Sequence, residues 1–253
     1  MRIGICSCPE SAAYVRELGY DYIELSLAAV AAMGEKEYAD CRDCLTALGL
    51  PCEAMNCMLP GGLRLTGPEA DPAEAEAYLD LALPRAQGLG VRVIVFGSGA
   101  ARRAPEGIPL EEALAQVERF ARMAGERARR LGLELAIEPL NAGETNLIHT
   151  VDEGAALARR ASVGVLADLY HVAAEEPDCS GIVRAGALLR HAHIANPQGR
   201  GYPAPGDGAD YAAFFAALRQ AGYGGRVSVE GLTEDFARDA ARALPVLRDL
   251  AEA

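Results

Sequence analysis

Lysine is almost missing from this chain: Lys36 is the only one in 253 residues, and it sits in the polar segment Gly34-Glu35-Lys36-Glu37. Schiff-base catalysis needs a lysine buried near its carbonyl substrate, so an aldolase of that class is not expected. No stretch approaches the roughly 18 consecutive apolar residues of a membrane span. Met1-Arg2-Ile3-Gly4-Ile5 enters an apolar run with no secretory h-region or cleavage signal. A cytoplasmic protein without a membrane partner is expected. Cationic charge is scarce too: lysine and arginine total 24 against 36 acidic residues, a net charge of −12. Such a chain repels a polyanion unless a local basic patch compensates. Arg127 with Arg129-Arg130, and Arg159-Arg160, fall late in expected helices, where cations offset the helix dipole. No nucleic-acid partner is expected.

Other frameworks are missing as well. The seven cysteines are an odd number, which argues against a disulfide scaffold. Cys41 and Cys44 form a single C-x-x-C in a helical pattern, with no second pair to complete a zinc site. Cys6, Cys8, Cys52 and Cys57 fall in expected strands, where small apolar residues suit a barrel interior. A dinucleotide fingerprint is absent: the loop Ser7-Cys8-Pro9-Glu10-Ser11 has no glycine, and after Gly97-Ser98-Gly99 an arginine, Arg102, stands where a third glycine would be. There is no low-complexity segment and no linker.

What is present is a repeated strand–helix unit. Eight apolar or β-branched runs cover 3–8, 20–26, 51–59, 91–96, 133–140, 163–169, 191–196 and 226–231. Several are continuously apolar, as in strands covered on both faces. Between them, Leu110, Leu114, Val117, Ala121, Ala124, Ala128 and Leu131 recur at spacings of three and four, one face of a helix. Asp71-Pro72-Ala73-Glu74 and Thr150-Val151-Asp152-Glu153 read as helix starts, and Thr233 is positioned to cap the last helix. Gly19, Gly49, Gly90, Gly132 and Gly222 each stand between a helix end and a strand, as glycines that stop helices do. Eight such units predict an α/β fold, a (β/α)8 TIM barrel, as a single domain over 1–253. The longest non-helical stretches, 56–71, 97–109, 140–148 and 196–210, all follow strands and would line the rim where active sites of such barrels sit.

Four of the runs end on a group able to bind a metal: Glu138, Asp168, His193 and Glu230, late in the fifth to eighth strands. Adjacent parallel strands lie about 4.8 Å apart, so ligands from four neighbours can converge on one ion. Three carboxylates and an imidazole make a mostly oxygen site. It suits Mn²⁺ first, with Mg²⁺, Co²⁺ or Zn²⁺ as alternatives, and leaves open positions for substrate oxygens. A site built this way stabilises the enediolate formed when a proton α to a carbonyl is removed.

These residues carry a resemblance. Ile137-Glu138-Pro139-Leu140-Asn141, Asp168-Leu169-Tyr170-His171, His191-Ala192-His193-Ile194-Ala195, Pro205-Gly206-Asp207-Gly208 and the stretch from Gly222-Tyr223 to Glu230 resemble the xylose isomerase-like barrel superfamily. That group includes ketose 3-epimerases, hydroxypyruvate isomerases and inosose-handling enzymes. The likeness covers nearly the whole chain and is more specific in its second half. It implies Glu138, Asp168, His193 and Glu230 as metal ligands, with Glu138 and Glu230 also moving protons. It implies Glu144, His171 and Arg200 as substrate contacts. The implied activity is a divalent-metal-dependent isomerase or epimerase of a small keto-sugar, and a homodimer or homotetramer is the expected assembly. A lyase or dehydratase on an oxidised sugar or glycoside would share the α-proton abstraction. The superfamily's abasic-site endonucleases use several zinc ions and many histidines; this chain has four histidines and an acidic balance. A barrel retained for binding alone is disfavoured by the intact ligand set. Among the other polar residues, His191 and His149 are expected to be structural. Glu24 ends the second strand at the rim, where it would meet substrate or form an internal salt bridge. Arg102 and Arg103 are free to hold a phosphate or carboxylate, with solvent exposure the default. Tyr202 and the turn 205–208 suit a lid.

Overall fold

The computed structural model describes residues 1–176 and 178–252. Eight parallel strands close into a barrel in sequence order: β1 (Arg2–Cys6), β2 (Tyr22–Ser26), β3 (Cys52–Asn56), β4 (Val93–Phe96), β5 (Glu134–Ile137), β6 (Gly164–Asp168), β7 (Leu189–Ile194) and β8 (Arg226–Val229). The ring shuts where β1 pairs with β8, Arg2 opposite Arg226. Most strands are shorter than the apolar runs that announce them, which extend into the flanking loops; β7 is as long as its run but begins two residues before it.

Helices fill the connections: α1 (Ala12–Leu18), α2 (Leu27–Ala32), α3 (Glu35–Leu48), α4 (Pro72–Gly88), α5 (Gly99–Arg102), α6 (Leu110–Arg130), α7 (Val151–Ala161), α8 (Leu169–Glu175), α9 (Ser180–Ala185), α10 (Tyr211–Gln220) and α11 (Phe236–Glu252). Among the described residues, no helix is long and apolar enough to cross a membrane. The glycine stops behave as expected: Gly19, Gly49, Gly90, Gly132 and Gly222 all have positive φ. Thr150 and Glu153 form the capping box of α7, and Asp71 caps α4 through the N–H groups of Ala73 and Glu74.

Four expectations need correction. Thr233 does not cap α11; its hydroxyl binds Asp239, and Asp235 accepts the N–H of Arg238, because the helix starts one turn later than the threonine. Leu110 is 55% exposed and falls off the buried face of α6, which runs instead through Ala113, Val117, Phe120, Ala121, Ala124 and Ala128. Cys8 and Cys57 are exposed, since each lies beyond a strand end. The stretch 97–109 is not wholly irregular, since α5 forms within it.

Strand alternation sorts the core into two parts. Outward side chains such as Ile23, Met55, Ile94, Ile137, Val165 and Val227 pack under the helices. A separate cluster, Tyr22, Ala54, Val93, Val95, Ala136 and Leu166, fills the barrel interior. Two residues beyond each inward position lies the next inward layer. Counting on from Ala54, Val95, Ala136 and Leu166 gives Asn56, Gly97, Glu138 and Asp168, while on β2 Glu24 pairs in register with Ala54, one layer lower. The register puts His193 level with Asp168 on one side and with Ser228 on the other. The apolar plug thus gives way to a polar layer at the C-terminal ends of the strands.

Candidate active site

Glu138, Asp168, His193 and Glu230 each present a ligand atom, all within 4.8 Å of one another. Glu138 follows directly on β5, Asp168 ends β6, His193 lies near the end of β7 and Glu230 follows β8. His193 Nδ1 stands 3.2 Å from Glu138 Oε1 and 3.4 Å from Glu230 Oε2. Asp168 Oδ1 accepts the N–H of Tyr170 and so starts α8. Its Oδ2 is buried without a hydrogen-bond partner, as is Nε2 of His171, 3.6 Å away. His171 Nδ1 lies 3.1 Å from the backbone N–H of Asn141, which it accepts, so the proton of the neutral ring resides on Nε2.

Charge crowding shows in the acidities. Burial, with Glu230 and Glu138 beside it, pushes Asp168 up to about 8. Burial and the charge of Glu230 raise Glu138. Burial works against ionised Glu230 as well, but the His193 imidazole and the Arg200 guanidinium bring it down to about 2. Burial alone would deprotonate His193; Glu24, Glu230 and Glu138 hold it well above its ordinary value. Two buried carboxylates and a partly buried third on one side of an imidazole, one of them with an orphaned oxygen, fit the donor set of a hard divalent cation.

Arg200 closes the group from above. It donates to Glu230 Oε2 at 2.8 Å and to Glu144 Oε1 at 3.0 Å, lies 4.0 Å from Asp168 Oδ2, and stacks over the Tyr170 ring at 4.8 Å. Its φ of 58° is in the left-handed region, a conformation that costs a non-glycine residue about 1–2 kcal/mol. The chain is held there by pairing around it, with Leu232 N–H donating to Arg200 O. Glu144 is therefore reached through Arg200, and His171 through Asp168, so the expected substrate contacts all border one space. A cavity of about 410 Å³ lined by Arg64, Thr66, Arg103 and Glu144 adjoins it.

Other residues belong here that the sequence did not single out, or placed wrongly. Asn56 donates to Glu230 Oε1 at 2.7 Å; its place two residues beyond inward Ala54 is the only signal it carries. Arg102 is fully buried, against expectation. The short helix α5 turns its side chain inward, where it donates to Glu138 O at 2.7 Å and lies over the Phe96 ring; burial lowers its pKa to about 10. Arg103 remains exposed and donates to Gly143 O. Glu24 does not sit on the rim: it is fully buried beneath His193 and bonded to His191 and His193. His191 and His149 are structural as expected, the second through Leu140 O at 3.0 Å.

The family model for the xylose isomerase-like TIM barrel matches residues 12–250. A ketose 3-epimerase of Arthrobacter globiformis is 35% identical over 130 residues, 49% of this chain and 44% of that protein. An L-ribulose 3-epimerase of a Methylomonas species is 32% identical over 127 residues, 49% of this chain and 42% of that protein. The matched segment thus spans less than half the length of each of these two relatives. A crystal structure of D-psicose 3-epimerase in the presence of D-fructose superimposes with a TM-score of 0.87 at 22% identity, covering 100% of both chains; at that identity the likeness is one of fold.

Proposed function

Because the chain belongs to the xylose isomerase-like TIM barrel family, we propose that it is a divalent-metal-dependent epimerase or isomerase of a small keto-sugar. It would act in the cytoplasm, as a single domain over 1–253 and as a homodimer or homotetramer. Seven unpaired cysteines support the compartment, and the ketose 3-epimerase relatives support the substrate class.

The observation that carries this reading is the inward layer itself: three carboxylates and one imidazole within 4.8 Å at the end of a barrel. Glu138, Asp168, His193 and Glu230 would hold the cation, with Mn²⁺ favoured by the oxygen-rich, single-imidazole donor set. Such an ion supplies Lewis acidity to a carbonyl and its neighbouring hydroxyl. Of the chain's own groups, Glu138 and Glu230 are assigned the proton transfers. One takes the proton α to the carbonyl and the other returns one to the opposite face of the planar enediolate, giving epimerisation. If the same carboxylate returns the proton to the adjacent carbon, the outcome is aldose–ketose isomerisation. His171, with its Nε2–H unpartnered, donates to a substrate hydroxyl. Arg200 holds a substrate oxygen, and Glu144 fixes the angle of its guanidinium.

The test is a ketose panel in D₂O with the purified, Mn²⁺-loaded protein. Deuterium entering the carbon next to the carbonyl, without loss of a substituent, is the expected result, and Glu138→Gln and Glu230→Gln abolish it. Expulsion of a β-substituent instead would identify a lyase. Absence of exchange and turnover in the wild type on every keto-sugar tried would end the enzyme reading.

A further inference from the structure

We infer that Glu24 is a positioning residue for the cation: it holds the Nε2–H of His193 and so turns the lone pair of Nδ1 toward Glu138, Asp168 and Glu230. The inference rests on the ligand set proposed above. No substrate reaches Glu24. It is fully buried on β2, one layer below the rim group, and is a carboxylate placed where only a strong reason to be ionised would keep it.

Its two oxygens are used differently. Oε2 is anchored: Ser228 Oγ donates to it at 2.5 Å, and His191 Nε2 lies 2.7 Å away. Ser228 is fixed in turn by the Tyr22 hydroxyl at 2.7 Å, and His191 by its place on β7. Oε1 is left to His193 Nε2, at 3.0 Å. A carboxylate only accepts, so the nitrogen facing it must be the donor. Nδ1 is the nitrogen 3.2 Å and 3.4 Å from the carboxylates of Glu138 and Glu230, which also accept from it in the absence of a cation. With a cation on Nδ1 the ring keeps a single N–H, at Nε2, and Oε1 of Glu24 is the acceptor already in place for it. The two nitrogens therefore look into two different surroundings, an anchored acceptor below and a cluster of ligand oxygens above.

The arrangement makes His193 a pre-set ligand. Without Glu24, the ring is free to adopt the other tautomer or to flip, and either change removes Nδ1 from the ligand set. A carboxylate behind the ring also increases the basicity of the ligating nitrogen. Partners of this kind are worth about 10- to 100-fold in metal affinity where they have been removed. Ser228 and Tyr22 then act on the site through Glu24, and His191 both through Glu24 and by meeting the His193 ring edge-on at 4.9 Å, which accounts for a polar group of this size in the barrel interior.

Two measurements on the full-length protein test this. In the wild type, nitrogen-15 spectra of labelled histidine should show His193 protonated at Nε2, with Nδ1 shifting when a diamagnetic probe, Zn²⁺, is added. An Nε2 shift with Nδ1 protonated would overturn the inference without any variant. In titrations with Mn²⁺, Glu24→Gln should weaken binding about 10- to 100-fold at unchanged stoichiometry. Glu24→Asp, which keeps the charge, should recover part of the loss. If Glu24→Gln stays within about twofold of wild type while Asp168→Asn abolishes binding, Glu24 is only a structural pair. If Asp168→Asn also leaves Mn²⁺ binding intact, the ligand set itself is wrong and the inference falls with it.

Discussion

Gly97 occupies the position in the inward layer where the neighbouring strands carry Asn56 and Glu138, and replacing it by alanine tests the reading of Glu138 with a single methyl group. A Cβ built there lies 2.2 Å from Glu138 Oε2 and 3.3 Å from its Cδ. Ordinary contact requires roughly 3.5 Å, so the carboxylate must retreat by roughly 1 Å. The atom that gives way is the far end of a side chain, so the fold need not move. Overpacking costs about 1–3 kcal/mol, and replacing glycine returns about 0.4–1 kcal/mol through the unfolded state. The net loss of about 0–2.6 kcal/mol corresponds to a Tm drop of at most about 10 °C. Catalysis is far more sensitive, because a reacting group misplaced by about 1 Å loses about 10²-fold. The assay is kcat/KM for deuterium exchange at the substrate's α-carbon, beside a thermal melt. Gly125→Ala is the control, since its Cβ meets Val163 Cγ1 at 2.3 Å on the helical layer; it should lower Tm and leave kcat/KM intact. Activity of Gly97→Ala within about threefold of wild type would show that the Glu138 carboxylate is not at the reacting centre.

Further outcomes follow from other parts of the molecule. Thr150→Ala removes the α7 capping box and should cost about 0.5–2 kcal/mol in a denaturant titration; an unchanged midpoint would mean the cap adds nothing. Mn²⁺ at about 100 times its dissociation constant should add about 2.7 kcal/mol of stability, or about 5–10 °C in Tm, and excess chelator should remove it; a melt indifferent to both would argue against a cation at the strand ends. Burial opposes ionised Asp21, but hydrogen bonds from Arg248 and the Ile3 N–H hold its carboxyl below the ordinary value. Because the folded pKa lies below the unfolded one, this stabilisation is complete above about pH 4 and fades as pH falls through the folded value. Asp21→Asn should therefore lose stability at neutral pH and converge on wild type in acid, and parallel pH–stability curves would refute the sign.

The meeting of Glu138, Asp168, His193 and Glu230 was legible because each falls late in an apolar run, and a charged or polar group there gives both the strand and its inward direction. The barrel was legible for a related reason: helix-stopping glycines such as Gly49 and Gly132 precede five of the strands, although α7 ends on Ser162 instead. What escaped was decided by partners distant in sequence. Glu24 has the same local pattern as a rim acid, and only the two histidines of β7, reaching across the barrel, make it a buried anchor. Arg102 follows a glycine-rich turn and looks solvent-bound until α5 turns it under the β4–β5 edge, where the carbonyl of Glu138 takes its proton donors. Thr233 is a local exception: it takes the N–H of Asp235, and Asp235, next to the helix start, accepts the N–H of Arg238 in its place.

Closure of the ring between β1 and β8 has a bearing on biosynthesis. Glu230 is carried just past the last strand, yet its carboxylate is held by Asn56 from β3 and Arg200 from beyond β7, its N–H donates to Ile194 O at the end of β7, and β8 itself is held between β7 and β1. The acidic cluster therefore gains its final member only when β8 docks between β7 and β1. Until then a nascent chain carries Glu138, Asp168 and His193 without their fourth neighbour. Cation capture and completion of the barrel become a single event, so a chain stalled before residue 226 should neither bind Mn²⁺ tightly nor resist proteolysis.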